Sequence, residues 1–140
     1  MHENFYHNVK VYYEDTDAGG VVYYANYLKY LERARTEALS TIGLSNLQIK
    51  NKFGALIIVK SCNIEYKKSA YLEDSLSIRS FVKSTTKTSF LMSQIITKDE
   101  DIIVEAQIHL VFVNAKGKPI KVPDIVFDNF KPYFCDSIKL

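Results

Sequence analysis

Between Asn26 and Gly43 the apolar residues recur every three or four positions; beyond Gly54 they recur every second position. This change of period constrains the fold more than any other feature. Tyr27, Leu31, Ala34, Ala38 and Ile42 fall on one side of a helix, flanked by Leu28, Arg35 and Leu39. Lys29, Glu32, Arg33, Thr36 and Ser40 take the other side, and Gly43 is a stop signal. Asn26 is a candidate N-cap, although the start could lie several residues earlier. Four strand-like runs follow. Cys62, Ile64 and Tyr66 share a face in the first, and Leu76, Ile78 and Val82 in the second. Phe90, Met92 and Ile96 do so in the third, and Ile102, Val104, Ala106, Ile108, Leu110 and Phe112 in the fourth.

Upstream, Val9, Val11 and Tyr13 alternate with Lys10, Tyr12 and Glu14, which predicts a half-buried strand ending at "EDTDAGG". "SNLQIKNKF" reads as a short second helix or an irregular connection, and "DIVFDNFKPYF" as a short terminal helix. The order is strand, long helix, four strands. A helix of about five turns covers five strands only by lying across one face of a sheet that curves around it. The expected class is α+β, with a five-stranded antiparallel sheet wrapped around one long helix in a single domain, 1–140. The opposite face, with Arg79, Phe81, Glu105 and His109, is too mixed for a core and predicts contact with another subunit.

The 140 residues are 47% hydrophobic and 13% aromatic, a globular composition. A net charge of +2 gives no nucleic-acid footprint. Cys62 and Cys135 form neither a disulfide framework nor a metal cluster, and Cys62 is expected to be a small buried apolar residue. No signal segment, membrane span or complete peroxisomal ending is present; the closing residues are "SIKL". The expected location is cytoplasmic. His2, His7 and His109 have no partners spaced for metal binding or for activating a nucleophile.

The densest chemistry lies in "YYEDTDAGGVVYYANY", Tyr12 to Tyr27. A calcium loop fails, because Gly19 and Asn26 occupy positions that need ligands. A phosphate loop fails for want of G-x-G-x-x-G or a lysine after the glycines. Two readings remain. One is an Asx turn that stabilises the helix dipole. In the other, glycines open the backbone, unpaired N–H groups at a helix start hold an oxyanion, and a carboxylate attacks or activates water.

"VYYEDTDAGGVVYYANYLKYLERARTEAL", with "VKSCNIEYKKSAYLEDSLSI" and "DIIVEAQIHLVFVN" further on, resembles the YbgC-like acyl-CoA thioesterases, in the 4-hydroxybenzoyl-CoA thioesterase branch of the hotdog-fold enzymes. The resemblance is strongest from Val11 to Leu39. It implies a hotdog fold and places the family's essential carboxylate on Asp17, as nucleophile or general base. It also implies that the backbone N–H near Tyr24 polarises the thioester carbonyl. Tyr24 stands where many YbgC-like members carry histidine. Gly19, Gly20 and Val22 fall among the implied substrate contacts, and Asn26 ties the loop or caps the helix. Glu14 and Asp15 orient the loop, Tyr27 and Tyr30 pack, and Glu32 and Glu37 are helix-surface residues.

For coenzyme A, the implied phosphate contacts are Lys83 and Lys87, which bracket "KSTTK", and Ser77 is a weaker contact from the neighbouring subunit. No cofactor is expected, since CoA belongs to the substrate, and no metal. The implied partners are acyl-CoA, an acyl-carrier protein and further copies of this chain, as a homodimer or homotetramer. Two other readings fit the same residues. One is a non-catalytic acyl-CoA or acyl-carrier-protein binder, or else an interaction protein of the Tol-Pal envelope system, a link that only the resemblance implies. The other is a hotdog hydratase, disfavoured because no histidine lies near the motif.

Overall fold

The computed structural model describes residues 2–136. The closing Ser-Ile-Lys-Leu lies outside that range. Five strands form one antiparallel sheet: β1 (Phe5–Lys10), β2 (Leu56–Tyr66), β3 (Ser75–Thr85), β4 (Ser89–Lys98) and β5 (Asp101–Val113). Their order across the sheet is β1-β3-β4-β5-β2. Helix α1 (Asn26–Thr41) follows β1, α2 (Asn46–Phe53) precedes β2, and α3 (Asp124–Phe130) follows β5. The strand, helix, four-strand order therefore stands, and the class is α+β. Helix α1 has 16 residues, a little over four turns at about 3.6 residues per turn.

On β3 and β4 the period-two runs bury the rows they announce. Leu76, Ile78 and Val82 on β3, and Phe90, Met92 and Ile96 on β4, line the face that receives α1. From the helix come Tyr27, Tyr30, Leu31, Ala34, Ala38 and Leu39. One polar side chain interrupts this apolar layer: Gln94, on β4, is fully buried. Its Nε2 donates to the Leu31 carbonyl and to Ser80 Oγ, both at 3.0 Å. Its Oε1 accepts from Arg35 Nη1 at 3.0 Å. A buried amide is tolerable because each end is satisfied.

α1 packs chiefly over β1 and β3, and α2 packs on β2. At the far end of the sheet, aromatic rings fill the core. Phe90 lies 5.2 Å from Phe130, 5.7 Å from Phe112 and 5.9 Å from Phe134, all edge-on. Edge-to-face contacts suit the ring quadrupoles. Phe134 also bridges Val82 beyond the end of β1, so the C-terminal segment covers the part of β3 that β1 leaves open.

Several details differ from the sequence reading. β1 ends at Lys10, not at the acidic run. Tyr12 N–H donates to Asp15 Oδ2 at 2.8 Å and closes a 3₁₀ turn over Tyr13–Asp15, which leaves Tyr13 exposed. Cys62 is exposed rather than buried, because β2 is the sheet's edge and has only β5 beside it. Ile102 is exposed at the start of β5, and Leu28 on α1 is also exposed. Ala25, not Asn26, occupies the N-cap position of α1.

Truncating Phe90 to alanine removes the hub of the aromatic cluster. Phe90→Ala should lower unfolding stability by about 3–5 kcal/mol, read as a lower urea midpoint with an unchanged slope.

Candidate active site

The segment from Val11 to Ala25 joins β1 to α1 and folds as a small hairpin. Asp17 N–H donates to the Val21 carbonyl, and Gly20 N–H to the Asp17 carbonyl, each at 3.0 Å. Thr16 bridges Val22, so the hairpin's returning arm leads directly to the start of α1. Gly20 turns the tip with φ of +79°, a conformation that costs other L-residues about 1–2 kcal/mol. The arm is docked on the chain before β3: Val22 N–H donates to the Ala70 carbonyl at 2.9 Å, and Val21 bridges Tyr71. Ala70 N–H in turn donates to the buried Tyr27 hydroxyl at 3.0 Å.

The two central aspartates have opposite environments. Asp15 is buried. Its carboxylate accepts from Tyr12 N–H, and its carbonyl accepts from Tyr23 N–H at 3.0 Å and from Asn26 Nδ2 at 2.8 Å. The Tyr30 hydroxyl is buried beside the Asp15 carboxylate without a well-formed hydrogen bond. Burial first, and then Asp15, push this phenol above its ordinary value. Asp17 is exposed, and its Oδ1 accepts a hydrogen bond from Gly19 N–H at 2.9 Å. A Cβ on residue 19 would sit 3.3 Å from that same oxygen, so Gly19 keeps space beside the carboxylate.

Tyr24 N–H and Ala25 N–H, just before the helix, donate to no other described residue. Asn26 N–H is already taken by the Tyr23 carbonyl. The hairpin thus carries a solvent-facing carboxylate on its tip and two open N–H donors on its returning arm. An exposed aromatic group borders them: the Tyr23 and Tyr24 rings are 4.9 Å apart, and Tyr24 lies 6.1 Å from Tyr66 at the end of β2.

Gly19, Gly20, Val22, Tyr24 and Asn26 therefore belong to one local unit with Asp17. Asn26 ties the loop by its side chain and does not cap the helix. Ser77, Lys83 and Lys87 are not brought to Asp17 within one chain. Ser77 pairs with Asn8 and Thr97 on β3, with its side chain on the face away from Leu76 and Ile78. Lys83 lies about 26 Å along β3 from Ser75 at about 3.3 Å per residue, and Lys87 is in the turn beyond. Residues missed in the sequence include Tyr66 and the docking segment at Ala70 and Tyr71. The end of an aromatic strand marked Tyr66, but no local signal marks Ala70.

A five-stranded antiparallel sheet with helices packed on it is the architecture that this chain shares with hotdog-type thioesterases. The chain belongs to the thioesterase-like superfamily, whose family model matches residues 11–130. It is 38% identical over 125 residues to the acyl-CoA thioester hydrolase YbgC of Escherichia coli O6:H1, covering 88% of this chain and 92% of that protein. Among solved structures, a probable thioesterase from Bartonella henselae aligns with a TM-score of 0.83 at 29% identity, over 86% of this chain and all of that one. An Asp-to-Asn mutant of 4-hydroxybenzoyl-CoA thioesterase, complexed with 4-hydroxybenzoyl-CoA, shares the fold. Its TM-score is 0.86 at 21% identity, over 91% of this chain and 99% of that one.

Gly19→Ala places a methyl group against the Asp17 carboxylate without backbone strain. It should lower kcat for thioester cleavage while leaving unfolding stability within about 0.5 kcal/mol, measured by thiol release and urea unfolding on the same preparation.

Proposed function

We propose that this chain is an acyl-CoA thioesterase, releasing a carboxylic acid and CoA, with Asp17 as its reacting carboxylate. The observation that carries this reading is the pair of unclaimed N–H groups, Tyr24 and Ala25, on the arm returning from Asp17. A thioester carbonyl seated against them gains hydrogen bonds that strengthen as negative charge builds on its oxygen. Asp17 either attacks the carbonyl carbon or takes a proton from the attacking water. The C–S bond then breaks and CoA leaves as the thiolate, protonated by Asp17 in the general-base route and by water in the nucleophilic one. In the nucleophilic route, water hydrolyses the acyl-aspartyl anhydride and restores the carboxylate. Asp15 stays out of the chemistry because its carboxylate is buried and tied to Tyr12 N–H.

The hotdog arrangement, with the sheet curved around α1, belongs to the same reading. So does a homodimer joined along β2. This edge strand spans 11 residues and leaves Leu56, Ile58 and Val59 40%, 45% and 49% exposed. A long apolar edge calls for a partner. Association there would also shelter a site that one chain leaves open to water. Sedimentation velocity should give twice the chain mass; a monomer at micromolar concentration would sink the edge pairing.

Asp17→Asn should reduce thiol release from acyl-CoA by about 10²–10⁴ while CoA binding by calorimetry persists. Retained turnover would remove Asp17 from the mechanism. At the neighbouring position, Tyr24→Ala keeps the backbone donor and should change kcat only modestly. Tyr24→Pro deletes that donor and should cost about 10²–10³ in kcat. Equal losses in the two variants would assign the role to the phenol ring instead.

A further inference from the structure

α1 and β2 come together beside the proposed thioester site. There, Tyr66 lies 6.1 Å from Tyr24 and 5.8 Å from Tyr27. Further along, Arg35 is the charged neighbour of Cys62. Arg35 itself lines a cavity of about 170 Å³, together with Glu32, Thr36, Asn46 and apolar side chains that include Val59, Met92 and Phe112. An apolar cavity of about 150 Å³ holds a benzene ring, so this one accommodates the end of an acyl chain.

Arg35 is out of place in such surroundings. It is half-buried, and burial lowers its affinity for its proton, offset in part by the through-space charge of Glu32. A guanidinium has five N–H donors, and within the described residues only Nη1 is committed, to Gln94 Oε1. None of the ion pairs among the described residues includes Arg35. Glu32, on the same rim, accepts instead from the Thr36 hydroxyl at 3.0 Å. A charge taken out of water usually carries a partner of opposite sign. Here Arg35 lines the cavity beside Glu32, which acts on it only through space.

We propose that the α1–β2 seam is the acyl channel, and that Arg35 selects acyl-CoA substrates whose far end carries a carboxylate. This rests on the thioesterase reading and adds the substrate class. Tyr24 and Arg35 are separated by about 16 Å along α1 at about 1.5 Å per residue. A ring attached directly to the thioester carbonyl falls short of that distance, and a straight chain spans it. At the far end the planar guanidinium presents a fork that matches a carboxylate. Hydrolysis of such a substrate gives a dicarboxylic acid and CoA.

The test compares kcat/KM of the wild-type protein on straight-chain acyl-CoAs matched in length and ending in methyl or carboxylate. The expected carboxylate-to-methyl ratio is at or below one for short chains and rises to about 10 or more, the scale of a hydrogen bond to a charged group, where the chain reaches Arg35. Arg35→Met should return that ratio to one or below, while Arg35→Lys keeps part of it. Arg35→Met also deprives Gln94 Oε1 of its donor; should that variant not fold, the wild-type series decides alone. A wild-type ratio at or below one at every length overturns the proposal, as does an unchanged ratio in folded Arg35→Met. Short methyl-terminated substrates report separately on the thioesterase reading. Their cleavage without any carboxylate preference removes only the role of Arg35, whereas no cleavage of any acyl-CoA removes both.

Discussion

The Asp15 carbonyl, holding Tyr23 N–H and the Asn26 amide together, is the contact on which the site depends. Through it the exit of β1, the returning arm of the hairpin and the first residue of α1 become one unit. The Asp15 carboxylate adds the tie to Tyr12 N–H. Each such bond contributes only about 0.5–1.5 kcal/mol net. Their convergence on one buried residue makes the penalty for breaking them larger, because an acceptor would be stranded away from water. This arrangement also separates the two acids. Asp15 is consumed by structure, which leaves Asp17 exposed with a single N–H contact from Gly19.

One helix cannot cover five strands, and the shortfall has a definite location. α1 lies chiefly over β1 and β3, α2 lies on β2, and Phe130 and Phe134 close the far end around Phe90. What remains open on this face is the seam between α1 and β2, at the side of the sheet where β2 has no outer neighbour. The cavity lies on the same side of the molecule as the hairpin, whose Tyr24 ring reaches Tyr66 on β2. An edge strand and an unfilled seam on adjoining surfaces are ordinarily liabilities, and the proposed function gives both a use.

The alternation of apolar residues located β3, β4, β5 and the latter half of β2, because period two depends only on which face is buried. It carries no information about lateral neighbours, so the edge position of β2 was not legible. The expectation of a buried Cys62 failed for that reason. β1 misled differently: Val11 is fully buried and keeps the alternation going, but Asp15 captures Tyr12 N–H and turns the chain. Which of two nearby aspartates is buried depends on Tyr30, well over a helical turn away in sequence on α1, and on how the hairpin packs. The family resemblance singled out Asp17; composition could not. Lys83 and Lys87 were legible as charges, but their remoteness from Asp17 follows from the direction of β3. Gln94 is visible as a break in the row Phe90, Met92, Ile96, and its meaning appears only when Leu31 and Arg35 stand opposite it.

That break bears on why a polar tie persists where an apolar residue would pack. Replacing a buried polar network with well-fitted hydrophobic side chains is often neutral or stabilising, so stability alone is a weak reason for Gln94 and Arg35. Hydrophobic contacts between α1 and the sheet are non-directional and allow the helix to slide by fractions of a turn. A hydrogen bond from Gln94 to the Leu31 carbonyl does not, because displacement would strand a fully buried amide. The bond therefore fixes the register of α1 against β4. It sets the distance from the open N–H groups at the helix start to the cavity beside Arg35. The same amide holds the guanidinium in place at the cavity's entrance. Register and channel length are then a single property, determined by one buried side chain on a central strand.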